Sequence, residues 1–271
     1  MTPTGPTRPP IVGTMDTQQS DLDIFGRPPV HHADWSHRRG EPRVFALLWM
    51  IYLMVVTALM FASVTGALNV SQSITRPAAR SMLVATMFGI AIVWPLVRFS
   101  QNVPAHGTVA SVLRDWVVII VPVQAVVIPQ MFPVLAGWSL GVVLAVDAFI
   151  CVWALAIAGL IAMAYRSIGE SDRGVARVFW MLLVLLVVLA SPVVGMLSGA
   201  GAQAGVADAR VGWLMSPLTG IVELTRERSV LGQSAHIQPG HWRMIGAIGC
   251  IGAALALFGH AIEVARRSNR A

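Results

Sequence analysis

Apolar residues run along this chain in stretches too long for the interior of a globular domain. After about 42 residues rich in Pro, Thr, Asp and His, six hydrophobic segments lie near 44–66, 82–99, 116–136, 139–164, 178–199 and 243–264. Each has about 18 residues or more, the length of helix that crosses a hydrocarbon core about 30 Å thick. Helices satisfy every backbone N–H and C=O internally, so separate apolar runs of this kind predict helices. The expected fold is therefore all-α and integral to the membrane, with six transmembrane helices. Residues 1–42 form an N-terminal tail and interfacial segment, 43–265 the six-helix domain with an outer loop at about 200–241, and 266–271 a C-terminal tail. The first apolar run starts too late for a secretory signal peptide, so the N-terminus is expected to be kept.

Charge orients the spans. All 19 basic residues are arginines; 13 fall in the N-terminal segment, the loops near 98–115 and 165–177, and the C-terminal tail, against six on the opposite side. By the positive-inside rule both termini are cytoplasmic. Arginine without lysine also suggests a GC-rich bacterial genome, hence a multi-pass protein of the bacterial cytoplasmic (inner) membrane, with the lipid bilayer as its first partner. The missing lysine excludes a P-loop and Schiff-base chemistry. The arginines are scattered at the ends of apolar runs without interleaved aromatics, so no nucleic-acid binding is expected.

With 56% hydrophobic and 12% charged residues and a mean hydropathy of +0.70, the few polar positions inside the spans stand out. Asp147, in "VVLAVDAFICVW", lies near the bilayer centre, where a carboxylate costs about 2.5–3.5 kcal/mol on insertion scales and should face protein or water. Cys151, Ala154 and Ala158 share its helical face, whereas Phe149, Val152 and Trp153 lie elsewhere. Structural bonding is the stronger reading and an ion or proton site the weaker, since a relay would use more than one ionisable group. The third span is interrupted by Pro122, Pro129 and Pro133, and Gln124 and Gln130 are placed to satisfy the freed backbone or a neighbouring helix. Asp147, Gln124 and Gln130 form the candidate intramembrane polar site. In the last span Gly246, Gly249, Gly252 and Ala256 recur every three or four residues and permit close helix approach, read as packing within the chain before a dimer seam. In the outer loop, Trp213, Leu214, Leu218, Ile221, Val222 and Leu224 cluster, while Glu223, Arg226, Glu227 and Arg228 supply charge. That piece lies in the interface or dips partway into the membrane.

Enzyme chemistry finds little footing, and no catalytic, cofactor or metal residues are assigned. "GMLSG" places Gly195 one position too far from Ser198 for an intramembrane serine protease, with His260 the lone base. His260 and His241 share one helix, so a bis-histidine haem bundle fails. His31, His32, Asp34 and His37 have nothing to fix metal geometry and arginines that repel a cation. Cys151 and Cys250 read as small apolar residues.

The order of elements resembles the membrane subunit of type 2 ABC transporters over most of residues 38–265. "HRRGEPRVFALLW" is similar to the family's interfacial entrance to the first span, and "RSMLVATMFGIAIVWPLVRFSQ" to its second span, with Pro95 near the inner end. In "SQNVPAHGTVASVL", Gly107 and Thr108 match the Gly-Thr of the family's coupling element, whereas its acidic-arginine pair is missing. "SPLTGIVEL", with Pro217 and Glu223, stands where these permeases place a re-entrant or interfacial helix between spans five and six. The resemblance implies a dimeric translocation path opened by a separate ATP-binding cassette subunit, with His106, Gly107, Thr108 and Arg114 as the coupling loop. No ATPase activity is then expected in this chain. The alternatives are a secondary transporter built on Asp147 and a non-transporting membrane scaffold.

Overall fold

The structure is a computed structural model that describes residues 42–65, 71–100, 108–167, 173–197, 210–227 and 235–268. Among the described residues all regular structure is helical. Helix α1 runs Pro42–Thr65. Phe45, Trp49, Val56 and Met60 recur at helical spacing and are buried, while Leu47, Met54 and Leu59 on the other side are exposed, the pattern of a helix with one face to protein and one to hydrocarbon.

The second helix is longer than its hydropathy suggests. α2 begins at Gln72, ten residues before the expected boundary, and continues to Phe88. Its first turns carry Arg76 and Arg80, which lower the hydropathy, but both are bonded inside the protein. Arg76 Nε donates to the Ala136 carbonyl at 2.9 Å and Arg80 Nη2 to the Thr225 carbonyl at 2.7 Å. A π-helical turn follows over Gly89–Val93, with the Trp94 N–H donating to the Gly89 carbonyl five residues back. Pro95, second residue of α3 (Trp94–Ser100), has no N–H to offer the carbonyl four residues back, and the extra residue in the turn accommodates it. Tyr52 Oη donates to the Ala85 carbonyl at 2.6 Å, and Trp49 stacks on Tyr52 while bonding the Ile119 carbonyl at 3.0 Å. One aromatic pair thus ties α1 to both α2 and α4 (Thr108–Val127).

α4 starts eight residues before the expected third span and ends earlier. A 3-10 turn over Ile128–Met131 closes it, and residues 132–136 form a turn instead of helix. The prolines end the helix here: Pro129 has no N–H to offer the Ala125 carbonyl four residues back, and the next carbonyl, that of Val126, accepts from the Gln130 side-chain Nε2 at 3.0 Å. Gly137, at φ +61°, then turns the chain into α5 (Leu140–Ser167).

α5 is the central helix. Phe149 and Trp153, off the face that Asp147 shares with Cys151 and Ala158, are buried too, as are Val146, Ile150, Ala154, Ile157 and Ala158. A helix hydrophobic all round and packed on several sides is what such a sequence produces. α6 runs Arg173–Leu197, a 3-10 turn Val211–Met215, α7 Pro217–Leu224 and α8 Pro239–Ser268.

Small residues set the α5–α8 contact. A Cβ at Gly252 would stand 2.9 Å from the Ala156 backbone nitrogen, and one at Gly159 would stand 2.7 Å from Leu255 Cβ. The glycine-rich stripe is therefore used within the chain, although Gly246 faces open space.

Six spans were expected; among the described residues five helices are long and apolar enough to cross a membrane. They are Val44–Thr65, Gln72–Ser100, Val109–Met131, Leu140–Arg166 and Pro239–Ile262. In α6 the apolar stretch Gly174–Ala190 has 17 residues, about 26 Å at the helical rise and short of the core thickness. The architecture is compatible with a multi-pass membrane protein.

Candidate functional site

Among the described residues, three polar constellations interrupt the apolar packing. The first is the pair singled out in the sequence. Gln124 Nε2 of α4 donates to Asp147 Oδ1 of α5 at 2.7 Å, and Cys151 Sγ lies 3.9 Å from the same oxygen. Both side chains are half-buried at the α4–α5 seam. Asp147 is not central in the span: it stands about 9 Å from the middle of Leu140–Arg166. Gln130 is not brought to it, being buried in the turn that ends α4 and bonded to its own helix.

The second constellation was missed in the sequence. Arg98 of α3 and Asp115 of α4 form a buried ion pair, with side chains 7% and 2% exposed. Phe45 of α1 lies under the guanidinium, 5.0 Å from ring centroid to Cζ, and Tyr165 of α5 donates its hydroxyl to the Arg98 carbonyl at 2.9 Å. Four helices therefore converge on one charge pair. The signal was present, because opposite charges, Arg98 and Asp115, flank the 101–107 connection. Of the expected coupling loop, His106 and Gly107 lie outside the described residues. Thr108 is the first residue of α4, and Arg114, beside Asp115, is exposed.

The third lies at the other end of the bundle, around α7. Ser216 caps this helix, accepting from the Leu218 N–H at 3.4 Å and donating to the Val188 carbonyl of α6 at 2.7 Å, and Pro217 opens it. Proline suits that position because its N–H would be unpaired anyway. Trp153 of α5 bonds the Leu214 carbonyl at 3.2 Å, and Leu214, Ile221 and Leu224 are fully buried. The segment thus sits inside the bundle, against α2, α5 and α6.

Its Glu223 carboxylate accepts from the Arg210 amide at 3.0 Å, pairs with Arg226 Nε at 3.2 Å, and faces His241 Nε2 of α8 at 3.6 Å. Burial pushes this carboxyl up, but the His241 hydrogen bond, the Arg210 amide and the Arg226 and His241 charges together outweigh it and hold it below the usual range. A depressed folded-state pKa adds stability above the unfolded value of about 4.5 and loses it as pH falls through the folded value. Glu223→Gln should therefore lower the thermal midpoint at pH 7, and the gap from the parent should narrow below about pH 4.5. Thermal unfolding across pH reads both.

A groove of ≈ 500 Å³ lies between α1 and α2, lined by residues such as Val56, Met60, Pro77 and Met82. Its hydroxyls, Ser63 and Ser81, already bond carbonyls of their own helices, so it offers apolar contact alone. Among the described residues no group of three or more His, Cys, Asp or Glu side chains is placed to hold a metal ion. Compared with family models, curated proteins and solved structures, the chain matches none.

Proposed function

We propose that this chain is the permease subunit of an ABC-type transporter, forming a translocation path that a separate cassette ATPase opens and closes. The observation that carries the reading is α7. A short, proline-initiated helix folds back into the bundle between α6 and α8, at the place where the type 2 permeases it resembles carry a re-entrant helix. In this reading α6 is the fifth span and α8 the sixth, both termini are cytoplasmic, the membrane is the bacterial inner membrane, and two copies flank the path.

The Arg98–Asp115 pair supports the same division of labour. It clamps the helices on either side of residues 101–107 to α1 and α5, so a push on that connection reaches four helices together. Packed interiors respond to such a push by switching between discrete arrangements. The substrate is left open to amphiphiles and polymers.

Affinity purification of the tagged chain from its native membranes tests the partner. A nucleotide-binding subunit should be recovered with it, and Gly107→Pro combined with Thr108→Pro should weaken that recovery about tenfold, equivalent to about 1.4 kcal/mol of docking energy. Recovery of the chain without such a subunit would remove the reading in favour of a secondary transporter or a scaffold.

A further inference from the structure

The α4–α5 seam carries a carboxylate whose capacity the protein leaves half used. Asp147 Oδ1 accepts from Gln124 Nε2 at 2.7 Å, and the same amide nitrogen makes a longer contact with the Ile120 carbonyl at 3.5 Å. With the amide hydrogens directed there, the seam is left with acceptors. Asp147 Oδ2 and Gln124 Oε1 have no donor among the described residues. A further acceptor brought here would be repelled, and a hydrocarbon tail would leave both oxygens unsatisfied, so the chemistry calls for a donor or a cation.

Position along the helix narrows the class: Asp147 stands about 9 Å from the middle of the apolar stretch Leu140–Arg166, toward its Leu140 end. From there toward the middle the seam is apolar. Val121 and Val117 of α4 are exposed, and Cys151 and Leu155 of α5 are half-buried. Trp116 crosses between the two helices, its indole N–H bonded to the Cys151 carbonyl at 3.1 Å. A polar group toward one end of the span and an apolar track running from it toward the middle describe an amphiphile lying along the helices.

We infer that the Asp147–Gln124 seam binds an amphiphile with a primary ammonium head. The head's three N–H donors meet the carboxylate and the amide oxygen, and its alkyl chain lies on Val121 and Val117. The site opens to the bilayer, so the ligand arrives laterally. The inference requires that the chain span a membrane and does not depend on an ATPase partner.

The test uses the full chain in phosphatidylcholine nanodiscs, which contain no primary amine, with dodecylammonium as probe. Its thermal midpoint should rise saturably with dodecylammonium, as expected for a ligand bound only by the folded state. Dodecyl sulfate and dodecanol should give no saturable rise, and dodecyltrimethylammonium, which has charge without N–H, a weaker one. Asp147→Asn keeps the side-chain shape and should weaken apparent dodecylammonium affinity at least about tenfold. Val121→Trp, which leaves the carboxylate intact and fills the track, should weaken it as well. If dodecylammonium behaves as dodecanol does, or binds Asp147→Asn as it binds the parent, the inference is wrong. It is equally wrong if Asp147→Asn leaves amine affinity unchanged and lowers the oligomeric mass, because the seam is then a contact between copies.

Discussion

Asp115→Leu should destabilise the protein by about 3–5 kcal/mol, because it leaves the Arg98 guanidinium charged and buried without its counter-ion. The side chains of this pair are 7% and 2% exposed, so water cannot take the place of the lost carboxylate. The double change Arg98→Leu with Asp115→Leu should recover most of the loss, since removing both charges also removes their desolvation penalty. Recovery will be incomplete, because Arg98 also lies over Phe45. Unfolding midpoints of the two single variants and the double variant in one detergent give the coupling. Equal, additive losses would mean that the two side chains act independently.

The second large effect separates two glycines that look alike in the sequence. Gly252→Leu should loosen α8 from α5, because even its Cβ would stand 2.9 Å from the Ala156 nitrogen and 3.2 Å from its Cα, backbone atoms that cannot swing aside. Overpacking of this kind costs about 1–3 kcal/mol, and a leucine against backbone belongs at the upper end or beyond. Gly246→Ala, on the same helix, meets nothing within 4 Å and should be neutral or stabilising. Disulfide formation between cysteines placed at Val152 and Gly249, whose Cβ would lie 3.7 Å from the Val152 Cβ, reports whether the two helices stay docked. It should fail in Gly252→Leu and persist in Gly246→Ala.

Those two glycines also show how far the sequence could be read. Periodicity located close helix approach in α8, but only the placement of α5 decides that Gly252 is used and Gly246 is not. Long apolar runs were legible because hydrocarbon imposes length and polarity directly. The start of α2 was not, because Arg76 and Arg80 look like solvent-facing residues until α7 and the 132–138 turn are set against them. The early start of α4 was hidden in the same way: Asp115 reads as a loop charge until Arg98 is brought beside it. Asp147 was found as a lone carboxylate, and Gln124 was a correct companion in type. Along the helix Asp147 stands about 9 Å from the middle of Leu140–Arg166. Gln130 was grouped with them on sequence proximity, yet the turn after Val127 takes it elsewhere. Glu223 and Pro217 were legible as parts of a short helix, while the His241 that faces Glu223 came from another helix and carried no local signal.

The central claim is that this polypeptide is moved by another molecule, and native mass spectrometry of the tagged chain released from its own membranes tests it most directly. The account predicts a complex of two copies of this chain with two copies of a nucleotide-binding subunit. A chain that emerges with no nucleotide-binding partner, and that takes up solute in proteoliposomes under an ion gradient alone, would contradict it.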